Sequence, residues 1–183
     1  MTILRRAVLK LGLIAAALAA LAAPAAAQTG TPHWLIELKD GTVDIELLPA
    51  VAPKHVERII ALTNEGFYNG IVWHRVIEGF MAQSGDPTGT GTGGSELPDV
   101  VAEFNAESFT RGAVGAARTN DPNTFNSQFF ICFDDCTFLD GQYTVFGRVV
   151  EGMEFVDMIK KGDPQSGMMS NPDKIVSAKI EYR

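Results

Sequence analysis

Short runs of alternating apolar residues, separated at brief intervals by Gly, Asn and Asp, constrain this chain more than any other feature. "HWLIELKDGTVDIELLP" reads as a hairpin. Trp34, Ile36 and Leu38 alternate on one arm and Val43, Ile45 and Leu47 on the other, with the turn dipeptide Asp40-Gly41 between them. "APKHVERIIALTNEGFY" then changes period. Val56, Ile59, Ile60 and Thr63 share one helical face, Pro53 suits the first turn, and Gly66 suits the C-terminal cap. The two-residue period returns in "VWHRVI", "FMAQSGD", "VVAEFN", "GAVGAA", "SQFFICF" and "TVFGRVV", and again in the final "KIVSAKIEYR". A second helix is expected at "GMEFVDMIKKG", with Phe155, Met158 and Ile159 on its apolar face. About eight short strands with only two helices predict an antiparallel sandwich or barrel, not a βαβ array. Neither an internal repeat nor an interdomain linker breaks the pattern, so one mainly β domain is expected.

The first segment has a different character. "MTILRRAVLK" is basic, "LGLIAAALAALAA" is a short apolar stretch, and "APAAAQ" offers small residues for cleavage after about Ala27. Residues 1–27 are therefore expected to be a cleavable export signal, residues 28–32 a linker, and residues 33–183 the folded domain. The apolar run is too short and alanine-rich for a convincing membrane span, so no stable membrane association is expected. "RRAVLK" fits a twin-arginine signal except at Leu4, where that pattern favours Ser or Thr, and it fits an ordinary secretory n-region equally well. Either route leads across a bacterial-type inner membrane to the periplasm.

Without residues 1–27 the chain keeps 12 basic and 22 acidic residues, and its formal charge goes from −7 to −10. That balance argues against nucleic acid as a partner. Cys132 and Cys136 are the only cysteines; bridging them needs a sharp turn over four residues, and the spacing favours two unpaired thiols.

"GTGTGG", Gly89 to Gly94, satisfies the G-x-G-x-x-G pattern of dinucleotide-binding loops. That pattern has mechanical meaning only between a strand and a helix N-terminus. Here "SELPDVVAEF" follows, with Pro98 where a phosphate-binding helix should run, so the glycines are expected to shape a tight surface loop. His33, His55 and His74 stand at no metal-ligand spacing, which leaves no support for a metal site. A G-x-S-x-G nucleophile elbow is absent, and Asp134 and Asp135 read as a solvated turn. Most of the eleven phenylalanines are expected to be packing.

What stands out is a concentration of polar and large apolar side chains on neighbouring segments. "WHRVIEGFMAQSGD" supplies Arg75, Phe80, Met81 and Gln83, "NSQFFICF" supplies Gln128, Phe129 and Phe130, and "CTFLDGQYTVFG" supplies Phe138, Leu139 and Tyr143. "FYNGIVWHRVIEGFMAQSGDPTGTGTGG" resembles the signature block of the cyclophilin family of peptidyl-prolyl cis-trans isomerases. "NSQFFICF" and "FLDGQYTVFGRVVEGMEFVDMI" continue the resemblance in order, and it spans essentially Trp34 to Arg183. The resemblance implies a closed eight-stranded antiparallel β-barrel capped by two α-helices, with the Gly-rich loop beside a substrate groove.

It further implies that Arg75 is the catalytic residue and that Phe80, Met81, Phe130 and Leu139 form an apolar proline pocket. Gln83 is implied beside the arginine, and Ala117 and Gln128 at further groove positions. Arg118 stands where eukaryotic members commonly carry asparagine, a contact made through the backbone. Phe138 and Tyr143 replace a tryptophan and a histidine of the cyclosporin-sensitive members, which implies weak cyclosporin binding at most. The reaction implied is cis-trans isomerisation of Xaa-Pro bonds without cofactor. With the export signal the expected clients are exported proteins, and, with no obvious assembly segment outside the domain, a monomer is expected. A binding module or chaperone of the same fold, without turnover, is the alternative reading.

Overall fold

The computed structural model describes residues 29–183, and the expected export signal over residues 1–27 lies outside them. The first two strands, β1 (Pro32–Glu37) and β2 (Thr42–Leu47), form the expected hairpin. The Leu38 N–H donates to the Gly41 carbonyl across the turn at 2.9 Å. Trp34 pairs with Ile45 and Ile36 with Val43, and all four side chains are buried. Helix α1 (Pro53–Asn64) follows, with Pro in its first turn. Val56, Ile59 and Leu62 enter the core, while Ile60 is only partly buried. At its end Gly66 takes the left-handed φ of 73°. The Gly66 N–H reaches Thr63 O and the Phe67 N–H reaches Leu62 O, the paired bonds of a Schellman cap.

Six further strands complete one sheet: β3 (Arg75–Ile77), β4 (Met81–Ser84), β5 (Ala113–Ala116), β6 (Phe129–Cys132), β7 (Val145–Glu151) and β8 (Ser177–Tyr182). Their spatial order is β3-β4-β6-β5-β7-β2-β1-β8, with every neighbouring pair antiparallel. A five-residue helix, α2 (Met153–Asp157), lies between β7 and β8. The sheet curls around a core that includes Trp34, Ile45, Trp73, Phe129, Phe146 and Ile59.

Three expectations need correction. The barrel is not closed: β3 and β8 are the two edge strands of an open, curled sheet. The physical reason lies in Val76, whose outward N–H donates to Gly167 O and whose carbonyl accepts from the Gly162 N–H. A loop thus occupies the edge of β3 that closure would use. Only the segments before the two strands approach each other, through the Val72–Lys174 bridge and bonds such as Trp73 N–H to Asp173 O.

"VVAEFN" is not a strand. It is extended chain with a single bridge from Val100 to Phe125, and side chains satisfy several of its other backbone groups. The Glu103 N–H donates to Thr144 Oγ1, and the Asn105 amide donates to the carbonyls of Glu103 and Val145. Finally, Met158 is 54% exposed, because α2 ends one residue before it and Val156 with Ile159 supply the buried contacts.

Candidate functional site

Two-residue periodicity places the site on the outer face of the sheet. Strand β4 sends Ala82 to the main core and Met81 to a second apolar cluster, while Gln83 alternates with the buried Ser84. Strand β6 divides likewise, Phe129 and Ile131 inward, Phe130 and Cys132 to the second cluster. Strand register then aligns Arg75 with Gln83, Gln83 with Phe130, and Phe130 with Gly115 across β3, β4, β6 and β5.

The Phe130 ring lies over Gly115, where a Cβ would come within 2.3 Å of Phe130 Cζ. Phe109 stacks against Phe130 at 5.5 Å between ring centroids, and Tyr143 meets it edge-on at 5.8 Å. Phe80, Met81, Ala117, Arg118 and Leu139 complete, with Arg75 and Gln83, a pocket of about 130 Å³ around Phe130 and Tyr143. Leu139 arrives on a single 3-10 turn, Thr137–Leu139. Arg118 places its guanidinium 4.2 Å from the Tyr143 ring centre and donates to the carbonyls of Gln142 and Thr119. Phe138 does not line this pocket. It is 62% exposed and packs on the outer side of Phe80, with ring centroids 5.5 Å apart.

Arg75 is held from two sides. Its Nη1 donates to Gln83 Oε1 at 3.3 Å, and its Nε donates to Ser166 O at 3.2 Å. Gln83 Nε2 in turn donates to Gln128 Oε1 at 2.9 Å, and Gln128 Nε2 donates to the carbonyls of Gly91 and Gly93 at 3.1 and 2.9 Å. Gln128 therefore lines a neighbouring polar cavity of about 480 Å³, which shares Gln83, Ala117 and Arg118 with the apolar pocket.

The structure thus brings together Arg75, Phe80, Met81, Gln83, Ala117, Arg118, Phe130, Leu139 and Tyr143, with Gln128 next door and Phe138 on the rim. Sequence reasoning missed Gly115 beneath Phe130, the Ser166 carbonyl behind Arg75, and Asp86. The last had a visible signal, an acid two residues ahead of the Gly/Thr run. Asp86 is fully buried and accepts from the backbone N–H groups of Thr88, Thr90 and Gly91 and from the Thr88 hydroxyl. Burial pushes its carboxyl up, but hydrogen bonds from Thr88, Gly93 and Gly91 outweigh burial and hold it at about 2. The Gly-rich run is a loop wrapped around that carboxylate, and no helix follows it.

No group of three or more potential metal ligands occurs among the described residues. Nor, among them, is any helix long and apolar enough to cross a membrane. Both cysteines are buried, unbridged members of the second cluster, and burial pushes both thiols up.

The family described as "Cyclophilin type peptidyl-prolyl cis-trans isomerase/CLD" matches residues 33–180. A probable peptidyl-prolyl cis-trans isomerase of Brucella suis is 55% identical over 159 residues, covering 80% of this chain and 81% of the relative. A peptidyl-prolyl cis-trans isomerase of Helicobacter pylori is 41% identical over 146 residues, 78% of this chain and 89% of the relative. Among solved structures, a Cryptosporidium parvum cyclophilin-type isomerase determined in the presence of the dipeptide Ala-Pro superposes with a TM-score of 0.75. It is 28% identical, with 82% of this chain and 99% of that one covered. Cyclophilin AquaCyp293 from Hirschia baltica is 31% identical with a TM-score of 0.72, covering 80% of this chain and 72% of that one. The chain belongs to the cyclophilin-type peptidyl-prolyl cis-trans isomerase family.

Proposed function

We propose that this chain catalyses cis-trans isomerisation of Xaa-Pro peptide bonds, with Arg75 as its catalytic residue. Rotation about a peptide bond is opposed by delocalisation of the nitrogen lone pair, with a barrier of about 18–20 kcal/mol. Xaa-Pro bonds populate both isomers and exchange slowly enough to limit folding. Catalysis therefore needs a site that favours the twisted bond, in which the proline nitrogen regains its lone pair.

One observation carries the reading: a guanidinium fixed by Gln83 and Ser166 stands on the wall of an apolar pocket of about 130 Å³. Phe80, Met81, Phe130 and Leu139 hold the pyrrolidine ring by burying its surface, so rotation is confined to the acyl side. Arg75, always charged and rigidly forked, donates to the proline nitrogen most strongly when the bond is twisted. Among the described residues the backbone N–H and C=O of Arg118 have no protein partner, so they are available to pair with an extended peptide. The test is the cis-to-trans rate of a short Xaa-Pro reporter peptide with the purified chain. Acceleration supports the reading, and peptide binding without acceleration favours a binding module.

The same proposal extends to where the enzyme works. The basic, apolar and small-residue order of residues 1–27 supports export, so the clients are proline-containing segments of proteins folding in the periplasm, met by a monomer. Fusing these residues to a reporter active only after export tests this, and lysine at Arg5 and Arg6 separates the two routes. A reporter that stays in the cytoplasm contradicts it.

A further inference from the structure

We infer that Asp86 is a positioning residue for Arg75, acting through the Gly-rich loop and two glutamine amides whose orientation the loop dictates. The inference rests on the reading of Arg75 given above and adds a residue outside the pocket to its machinery.

A glutamine carboxamide has a donor end and an acceptor end of nearly the same shape, so its neighbours decide which way it points. In this site that decision is passed along in one direction. Asp86 gathers the N–H groups of Thr88, Thr90 and Gly91 on one buried carboxylate. Gly91, whose N–H that carboxylate holds, and Gly93, which packs against it, present their carbonyls to Gln128. Two acceptors require the NH₂ end of Gln128, at 3.1 and 2.9 Å. Its oxygen is thereby left for Gln83 Nε2 at 2.9 Å, and the Gln83 oxygen is left for Arg75 Nη1 at 3.3 Å. Reversing either amide would set NH₂ against guanidinium or oxygen against oxygen, so the loop and the arginine are linked by polarity as well as by contact.

Two further observations show that the loop is built around the carboxylate. A Cβ on Gly93 would fall 2.2 Å from Asp86 Oδ1, so only glycine allows the backbone to pack there. The carboxylate itself has no exposed surface, so it makes no contact with bound peptide, and its influence on Arg75 runs through the loop.

The experiment is a double-mutant cycle on peptide isomerisation by the full chain, with circular dichroism confirming each fold. Asp86→Asn keeps the shape and removes the charge. It is expected to lower kcat/KM roughly tenfold, a positioning hydrogen bond's worth, with most of the loss in kcat. In a Gln128→Met background, where the relay is already cut, the same substitution is expected to cost less than about twofold. A merely structural role would instead make the two losses multiply, and that result overturns the relay while leaving Arg75 standing. A parent chain without turnover overturns both readings. Should Asp86→Asn fail to fold, Gly93→Ala disturbs the same contact with the charge intact and is read in the same cycle against Gln128→Met.

Discussion

Gly115 and Phe130 face each other across the β5–β6 ladder, and the Phe130 ring occupies the space a side chain at 115 would need. Gly115→Ala therefore forces the ring toward the pocket. Overpacking of this kind costs about 1–3 kcal/mol. The expected outcome is a lower thermal midpoint together with a higher KM for peptide, measured by calorimetry and by isomerisation kinetics. An unchanged KM contradicts the placement of Phe130 in the pocket lining.

Glu103 does what a local cap does for other helices. Ala52, at the N-cap of α1, provides no side-chain bond, and the Glu103 carboxylate accepts the N–H groups of Lys54 and His55 from 49 and 48 residues away. It also meets His55 Nδ1 at 2.7 Å. Glu103→Ala is expected to destabilise the fold by about 1–2 kcal/mol, measured by denaturant unfolding.

The same pair gives stability an acid limb. Burial pushes His55 down, more than Glu103 raises it, so the native state prefers neutral histidine. A lowered histidine means the unfolded chain binds more protons just below about pH 6.5, and stability falls as pH drops from there. Burial pushes Glu103 up, but His55 and the α1 amides outweigh it and hold it below the ordinary value, so its contribution is lost at still lower pH. Thermal midpoints from pH 8 to 3 should fall in the parent, and Glu103→Gln should flatten the lower part of the curve.

Burial raises both thiols, so neither Cys132 nor Cys136 is a reactive thiolate in the native fold. Both are expected to resist alkylation until the chain is unfolded, which mass spectrometry of maleimide-treated protein would show. Rapid labelling of either native thiol contradicts the packing of the second cluster.

Phe138 stands at the outer edge of the groove against Phe80. On the family resemblance in the sequence, this position is tryptophan in the cyclosporin-sensitive members, so weak cyclosporin binding is the expectation. Phe138→Trp restores a donor and is expected to tighten cyclosporin by roughly tenfold in a fluorescence titration.

Much of this fold can be read from periodicity, and the exceptions have local causes. The β1–β2 hairpin and α1 were legible because each buries one face, so Trp34 and Ile36 or Val56 and Ile59 recur at the period of their element. "VVAEFN" has the alternation of a strand, yet Glu103 and Asn105 satisfy backbone groups across the fold, which no local pattern announces. Closure failed for a similar reason, since Val76 spends its outward backbone groups on a loop some ninety residues later. In the site, Arg75, Phe80, Gln83 and Phe130 were legible as members of motif blocks. Gly115 was not, because its role depends on what lies across the ladder, and Asp86, though visible beside the Gly/Thr run, has a role set by what lies inside the loop.

The most direct test compares kcat/KM for a short Xaa-Pro peptide in the parent, Arg75→Ala and Arg75→Lys. Loss of a positioned donor to the reacting nitrogen costs about 2–4 kcal/mol of transition-state stabilisation. The account predicts a loss of roughly thirty- to a thousand-fold in Arg75→Ala, with folding intact. Lysine, which keeps the charge without the fork that Gln83 and Ser166 hold, should recover little of it. Near-parental turnover by a folded Arg75→Ala protein would contradict the mechanism at its centre.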